Sequence, residues 1–349
     1  MRCVLFTVLS FCALARAGGR HEDLEPVDPV ADVVAQPPVS TLSMGRRLTS
    51  QLYLGQTDLL WATAGPALRR QLGSLDGLTA FARKVKGDFG VELRLSAETV
   101  QERNTLTVYT RLAVFSLYAR GVELQWTWDA AGTLVAVSAL PAVTEAPSPH
   151  LNTTIKTALR LPFEGTWNVL WGGRTWEDNH HASVSDQRFA LDLLIWRGAN
   201  TFEGDGTRNE QYFCWGKPVV APAEGRVVIV EEGVYDNAPG QVNLTRLYGN
   251  HVVIEHGNGE YSLLAHLMRG SIAVKQGERV RAGQLLGKAG NSGVSTEPHL
   301  HYQLMDAPEW LRAHGMPAVF VDYLADGKPY ARGEPRRTQQ LAPMTTNVR

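Results

Sequence analysis

The chain has 349 residues, 44% of them hydrophobic and 20% charged, with a formal net charge of -1. That length holds two ordinary domains with sizeable cores, and the composition is that of a folded globular chain. A near-zero net charge excludes the broad electrostatic attraction on which nucleic-acid binding relies, so no nucleic-acid partner is expected.

Residues 1–17 have the layout of a secretory signal: Arg2, an apolar run over 4–14, and Ala15-Arg16-Ala17 as a small-x-small cleavage site. The run is too short for a permanent membrane span. No later stretch is long enough either, so the expectation is an exported chain, periplasmic or extracellular at the cell wall, with no integral membrane segment. Cleavage after Ala17 would remove Cys3 and Cys12 and leave Cys214 alone, which excludes an internal disulfide framework. Cys214, between Phe213 and Trp215, reads as a small packed apolar residue.

Residues 18–40, rich in Pro, Asp, Glu and Val without periodicity, read as a linker. A first domain is expected over 41–141. Residues 57–72 carry Leu59, Leu60, Ala64 and Leu68 at helical spacing, and 75–85 a second helix capped near Ser74 or Asp76. Strand patterns follow at 91–95, 106–115, 122–128 and 134–140, with Asp129-Ala130-Ala131-Gly132 as a hairpin turn. Helices followed by a curved antiparallel sheet predict an α+β domain. In its opening Leu-Trp helix, Val108-Tyr109-Thr110-Arg111 and Gln125-Trp126-Thr127, this segment resembles the small cystatin-like or NTF2-like domains that precede some bacterial cell-wall peptidases. The resemblance implies a spacer or wall-binding role and no catalytic residue.

Residues 142–160, opening on a proline-rich stretch, read as a second linker. The region 161–324 is a series of short β runs separated by Gly and Asn turns, at 189–195, 225–231, 251–256, 261–267, 284–287 and 299–305. That pattern predicts a mainly antiparallel β domain, a sandwich or barrel. A tail over 325–349, polar and basic with Arg332, Arg336 and Arg337, is expected to lack structure beyond Tyr330.

The chemistry gathers in this second region. In Pro298-His299-Leu300-His301 the two imidazoles share one face of a strand, because side chains alternate with period two. With His266 and with Asp192, a carboxylate inside an apolar strand, they are the parts of a catalytic zinc site, in which three protein ligands leave a position for water. Alternation alone leaves open which histidine holds the metal. Metal-assisted hydrolysis is the expected chemistry.

The ordered runs Lys217-Pro218-Val219-Val220-Ala221-Pro222, Gly249-Asn250-His251-Val252-Val253-Ile254, Leu264-Ala265-His266-Leu267, Gly290-Asn291-Ser292-Gly293 and Glu297-Pro298-His299-Leu300-His301 resemble those of the M23 peptidases, the lysostaphin-type or LytM-type endopeptidases. The resemblance spans about 192–305. It implies a compact antiparallel β fold with a groove over one Zn2+, acting on peptide stems or cross-bridges of bacterial peptidoglycan. It also implies that Asp192 and His301 bind the metal, and that His299 and His266 act on the water or the oxyanion.

One departure stands out. The family's first ligand lies four residues before the aspartate, where this chain has Arg188, a cation without an acceptor. The upstream pair Asn179-His180-His181 can supply the missing histidine. His181 is preferred because sequences similar to this one keep a histidine before a Gln-Arg-Phe/Tyr-Ala-x-Asp segment, and His180 is the alternative. The rival reading is a degenerate domain without zinc that binds wall or regulates another wall hydrolase. Retention of His266, His299 and His301 favours the zinc metalloendopeptidase. His251 and His256 read as structural, His150 and His314 as solvated. Gly290–Gly293 reads as a turn rather than a serine nucleophile, and Gly204-Asp205-Gly206 as a surface excursion.

Overall fold

A computed structural model describes residues 39–344 apart from residue 104; the expected signal segment and linker residues 18–38 lie outside the described residues. Four helices come first, α1 (Val39–Tyr53), α2 (Thr57–Ala62), α3 (Pro66–Leu72) and α4 (Leu75–Phe89). A four-stranded antiparallel sheet follows in chain order, β1 (Glu92–Arg103), β2 (Leu106–Phe115), β3 (Tyr118–Asp129) and β4 (Leu134–Pro141). The single helix expected over 57–72 is two, because Gly65-Pro66 interrupts it; Pro66 opens α3, where its missing N–H costs nothing. Ser74 caps α4 by accepting from the Gly77 N–H at 3.2 Å. Helix α1 was not legible: its 15 residues hold Ser, Thr, Gly and Arg, and its buried face mixes Gly45 and Thr49 with Leu48 and Leu52. Those leucines, with Leu60, Leu68 and Leu78, pack on Tyr109, Leu124, Trp126 and Leu134 to form the core of this region.

The remaining strands are β5 (Trp167–Trp171), β6 (Leu191–Leu194), β7 (Pro218–Val220), β8 (Gly225–Glu231), β9 (Asn250–Glu255), β10 (Tyr261–Leu267), β11 (Arg279–Val280), β12 (Leu285–Lys288), β13 (Leu300–Met305), β14 (Gly315–Met316), β15 (Phe320–Ala325), β16 (Lys328–Gly333) and β17 (Gln340–Pro343). Eleven of them form one large antiparallel sheet in the order β11-β8-β9-β10-β13-β6-β5-β17-β15-β16, with β14 beside β13; β12 and β7 pair separately. The architecture is thus an N-terminal helical region and small sheet followed by a large antiparallel β domain. Every residue of β6 and β13 is buried, so a carboxylate there must have compensating partners.

The tail corrects its expectation. Strand β16 is polar because it is exposed, yet it pairs with β15. Strand β17 fits between β15 and β5, with Leu341 fully buried opposite Trp167. Backbone pairing and one apolar anchor hold a segment whose composition reads as unstructured.

The segment 142–160 is a packed strap: Ala142, Ala146, Ile155 and Leu159 are buried, and the Lys156 and Thr157 N–H groups donate to the Glu260 carboxylate. The small sheet meets the β domain directly. Arg94 donates to the Ala313 carbonyl at 2.6 Å, and the Gly121 N–H to Ser183 Oγ at 3.2 Å. Among the described residues no helix is long and apolar enough to cross a membrane.

Candidate metal centre

Strand register brings the chemistry together. On β13 His301 lies opposite Asp192 of β6 on one side and opposite Ala265 of β10 on the other. His299, two residues before His301, shares its face and is fixed by a bridge to Gly290. His266 obeys a different rule. Ala265 pairs with His301, so regular alternation would turn His266 away. Instead the register slips between Leu264 and Leu267, and His266 adopts φ 60, a left-handed conformation that is rare for a side chain with a Cβ. The ring comes to 4.8 Å from that of His299 and 5.7 Å from that of His301, centroid to centroid. Backbone strain of this kind gathers at functional sites.

His180 and His181 arrive from a short 3-10 helix, His180–Ser183, eleven residues or more before Asp192. Two successive turns, Gln187 N–H to Val184 O and Ala190 N–H to Gln187 O, fold the chain back to β6. Asn179 closes this loop by donating to Ala190 O and Gly173 O. Arg188 takes no part in the cluster: its guanidinium donates to Arg174 O and lies over the Phe189 ring. The loop thus brings His180 and His181 to the Asp192 carboxylate.

The outer nitrogens settle the tautomers. His266 Nδ1–H donates to Ser292 O at 2.8 Å, and His299 Nδ1–H to Glu297 O at 2.9 Å. His181 Nδ1–H donates to Asn179 Oδ1 at 2.9 Å, and His301 Nε2–H to Gln303 Oε1 at 2.9 Å. The amides of Asn179 and Gln303 are themselves oriented by donating to carbonyls. With the outer nitrogens so bonded, the inner nitrogens of His181, His266, His299 and His301 present lone pairs when these rings are neutral. His301 Nδ1 stands 2.9 Å from Asp192 Oδ1, His181 Nε2 3.5 Å from Asp192 Oδ2, and His299 Nε2 3.6 Å from Asp192 Oδ1. Lone pairs converging on a buried carboxylate repel unless a cation lies among them, so this donor set fits a bound metal.

His180, His181 and Asp192 also offer three ligand atoms within 4.8 Å of one another. His180 packs edge-on to Trp171, and its Nδ1 is buried without a hydrogen-bond partner. Burial pushes His181 and His266 well below the usual imidazole range and His180 down to about 4, which keeps them neutral and able to bind a metal. Burial pulls Asp192 up, but positive charge or N–H donors facing it from the histidine side more than reverse this and lower it, the same pull that a bound cation would exert. His299 is likewise lowered by burial but raised further by Asp192. The cluster floors a groove of about 220 Å3 whose lining includes Trp171, Tyr248, Glu297 and Arg120.

The profile of Peptidase family M23 matches residues 212–312. The chain carries an M23-family peptidase domain. The match to the M23 profile includes His266, His299 and His301 but begins after Asp192 and His181, whose place in the centre rests on geometry. Over 91 residues, 25% of this chain, the sequence is 43% identical to peptidoglycan DD-endopeptidase ShyA of Vibrio cholerae. Over 56 residues, 16% of this chain, it is 52% identical to DD-carboxypeptidase/endopeptidase Mpg of Neisseria meningitidis. These alignments span 21% and 12% of the two relatives' own lengths. The solved catalytic domain of lysostaphin from Staphylococcus simulans aligns at 22% identity and TM-score 0.26, covering 43% of this chain and 86% of that one. The M23 match does not reach 41–141, whose likeness to cystatin or NTF2-like domains rests on sequence pattern alone.

The other singled-out residues lie elsewhere. His251 and His256 bond to the Gly249 and Glu224 carbonyls, at the two ends of β9. Ser292 Oγ donates to Leu267 O and accepts from Asn250 N–H, as a turn residue does. Cys214 is buried, with its thiol on Pro298 O and its pKa pushed up to about 12 by burial. His150 and His314 are not solvated singly: both bond to Asp306 Oδ2, at 2.9 and 3.2 Å. Sequence reasoning missed Gln303 and Asn179, which anchor the His301 and His181 rings, and Tyr248, which donates to Asp186 at 2.7 Å beside His301. Gln303 had a signal, since 299, 301 and 303 continue one strand face.

Proposed function

We propose that this protein is an exported zinc-dependent metalloendopeptidase that hydrolyses peptide bonds in the stems or cross-bridges of bacterial peptidoglycan. The observation that carries the reading is the convergence of imidazole lone pairs on the buried Asp192 carboxylate. The likeness of part of the chain to the peptidoglycan DD-endopeptidase ShyA and the DD-carboxypeptidase/endopeptidase Mpg supports the substrate class. His181, Asp192 and His301 would hold one zinc ion per chain. Bound there, zinc supplies Lewis-acid polarisation of a carbonyl and a water whose pKa falls to about 7.

The chain's own groups do the rest. His299 has its proton fixed on Nδ1 by Glu297 O, so Nε2 is free to accept a proton from the attacking water. His266, held the same way by Ser292 O and with its ring 4.8 Å from that of His299, presents a second acceptor. A ring that has accepted a proton becomes a donor, first to the developing oxyanion and then to the leaving amine. The groove walls exclude bulk water and strengthen each of these interactions.

Metal analysis and turnover on purified peptidoglycan test this together. About one zinc per chain is expected, lost with all cleavage in His301→Ala. His299→Ala should keep its zinc and lose about 100-fold to 10,000-fold in kcat. A wild-type protein that binds wall but holds no zinc and cleaves nothing would instead be the non-catalytic binding module.

A further inference from the structure

We propose that Arg120, supplied by the small N-terminal sheet, anchors a substrate carboxylate in the M23 groove, so that peptides with a free carboxylate close to the scissile bond are preferred. The inference rests on the peptidase reading above and adds to it which peptides fit.

Arg120 sits on β3 and lines the same groove as His180, His181, Asp192, His299 and His301. Its position is fixed through its neighbour. Gly121 N–H donates to Ser183 Oγ, Gly121 O accepts from Ala142 N–H, and a Cβ on Gly121 would lie 2.5 Å from Ser183 O. The small sheet is thus pressed against the short helix that carries His180 and His181.

Three charged residues line the groove: Arg120, Asp192 and Glu297. Asp192 is committed to the histidines, and Glu297 accepts from Thr201 Oγ1 at 2.8 Å. Arg120 is exposed and has no hydrogen bond or ion pair among the described residues. Its strand packs directly on the short helix that begins at His180. Glu297 lies beside His299, whose ring its carbonyl holds. The lining thus carries a free cation on the strand beside the His180–Ser183 turn and a carboxylate, already bonded to Thr201, beside His299. A guanidinium offers a planar fork that matches a carboxylate with two parallel hydrogen bonds. A substrate would lie with its acidic side toward His180.

The test uses two synthetic peptides, identical except that one carries a carboxylate and the other a carboxamide next to the scissile bond. The wild type should favour the acid by about tenfold or more in kcat/KM, as expected for one charge-assisted pair. In Arg120→Gln the ratio should fall to about 1, mainly through KM for the acid, with Arg120→Lys intermediate and Arg120→Glu below 1. A wild-type ratio near 1, or an unchanged ratio in Arg120→Gln with both peptides slowed equally, overturns the proposal and leaves the peptidase intact. If neither peptide is cleaved, the peptidase reading is what fails, and calorimetry with the same pair decides the anchor. Tighter binding of the acid that Arg120→Gln abolishes keeps it, and equal Kd values overturn it.

Discussion

Gln303 shows how a single side chain can tune the centre without touching a metal. Its Oε1 accepts from His301 Nε2 at 2.9 Å, while its own amide N–H donates to Asp186 O at 3.2 Å. Gln303→Leu keeps volume and removes the acceptor, so His301 loses both its orientation and its tautomer. Zinc affinity should fall by about 10-fold to 100-fold with the fold intact, read by competition with a chromophoric chelator. His266 gives a second residue-scale expectation. Its φ of 60 costs any residue with a Cβ roughly 1–2 kcal/mol. His266→Ala and His266→Gly both remove the imidazole, but only glycine relieves the backbone. His266→Gly should be more stable than His266→Ala by about 1 kcal/mol in urea denaturation, and equal midpoints would remove the strain argument. This also marks the limit of legibility at this scale. The face shared by 299, 301 and 303 follows from alternation, whereas the slip that turns His266 inward arises only from pairing with β9, of which its local sequence gives no sign.

Elements tell the same story in a different way. The strands expected at 225–231 and 261–267 coincide with β8 and β10, because glycine turns bound them and their apolar runs are short. The sequence points to His181 as a partner of Asp192, but the path that brings it to 3.5 Å from that carboxylate was not legible, since it depends on paired turns over 184–190 and on Asn179 bridging them. The tail strands were hidden for a further reason: pairing across the sheet, rather than composition, holds them. The contact between β3 and the His180–Ser183 turn is the most consequential of these long-range features. Gly121→Ala would place a Cβ against the Ser183 carbonyl, which is backbone and cannot rotate aside. The turn must shift, at a cost of about 1–3 kcal/mol as in other overpacked sites. Zinc affinity should weaken, while Gly87→Ala, on the open side of α4 with nothing within 4 Å, should leave it unchanged. Isothermal titration with zinc distinguishes the two variants, and equal affinities would mean that the sheet does not position the turn.

At the scale of the whole molecule, the small sheet, the strap and the M23 domain meet at Asp306. His150 of the strap and His314 both bond to its carboxylate, and His314 N–H adds a bond at 2.6 Å. The neighbouring Ala313 carbonyl receives Arg94 from the small sheet, so the two attachments share one loop. Burial alone would raise Asp306, but the bonds from His150 and His314 outweigh it and hold the carboxyl below its ordinary value. An acid whose folded pKa lies below its unfolded value of about 3.9 contributes stability that is complete above that value. The contribution disappears as pH falls through the folded pKa. Asp306→Asn keeps the shape and removes the titration. In urea unfolding of metal-free protein, the stability gap between wild type and Asp306→Asn should be constant above about pH 5 and shrink steadily below about pH 4. A gap that stays the same down to pH 2 would mean that the histidines do not depress this carboxyl. A gap that closes would make the strap junction an acid-labile joint, loosening the loop from which Arg94 holds the small sheet against the domain.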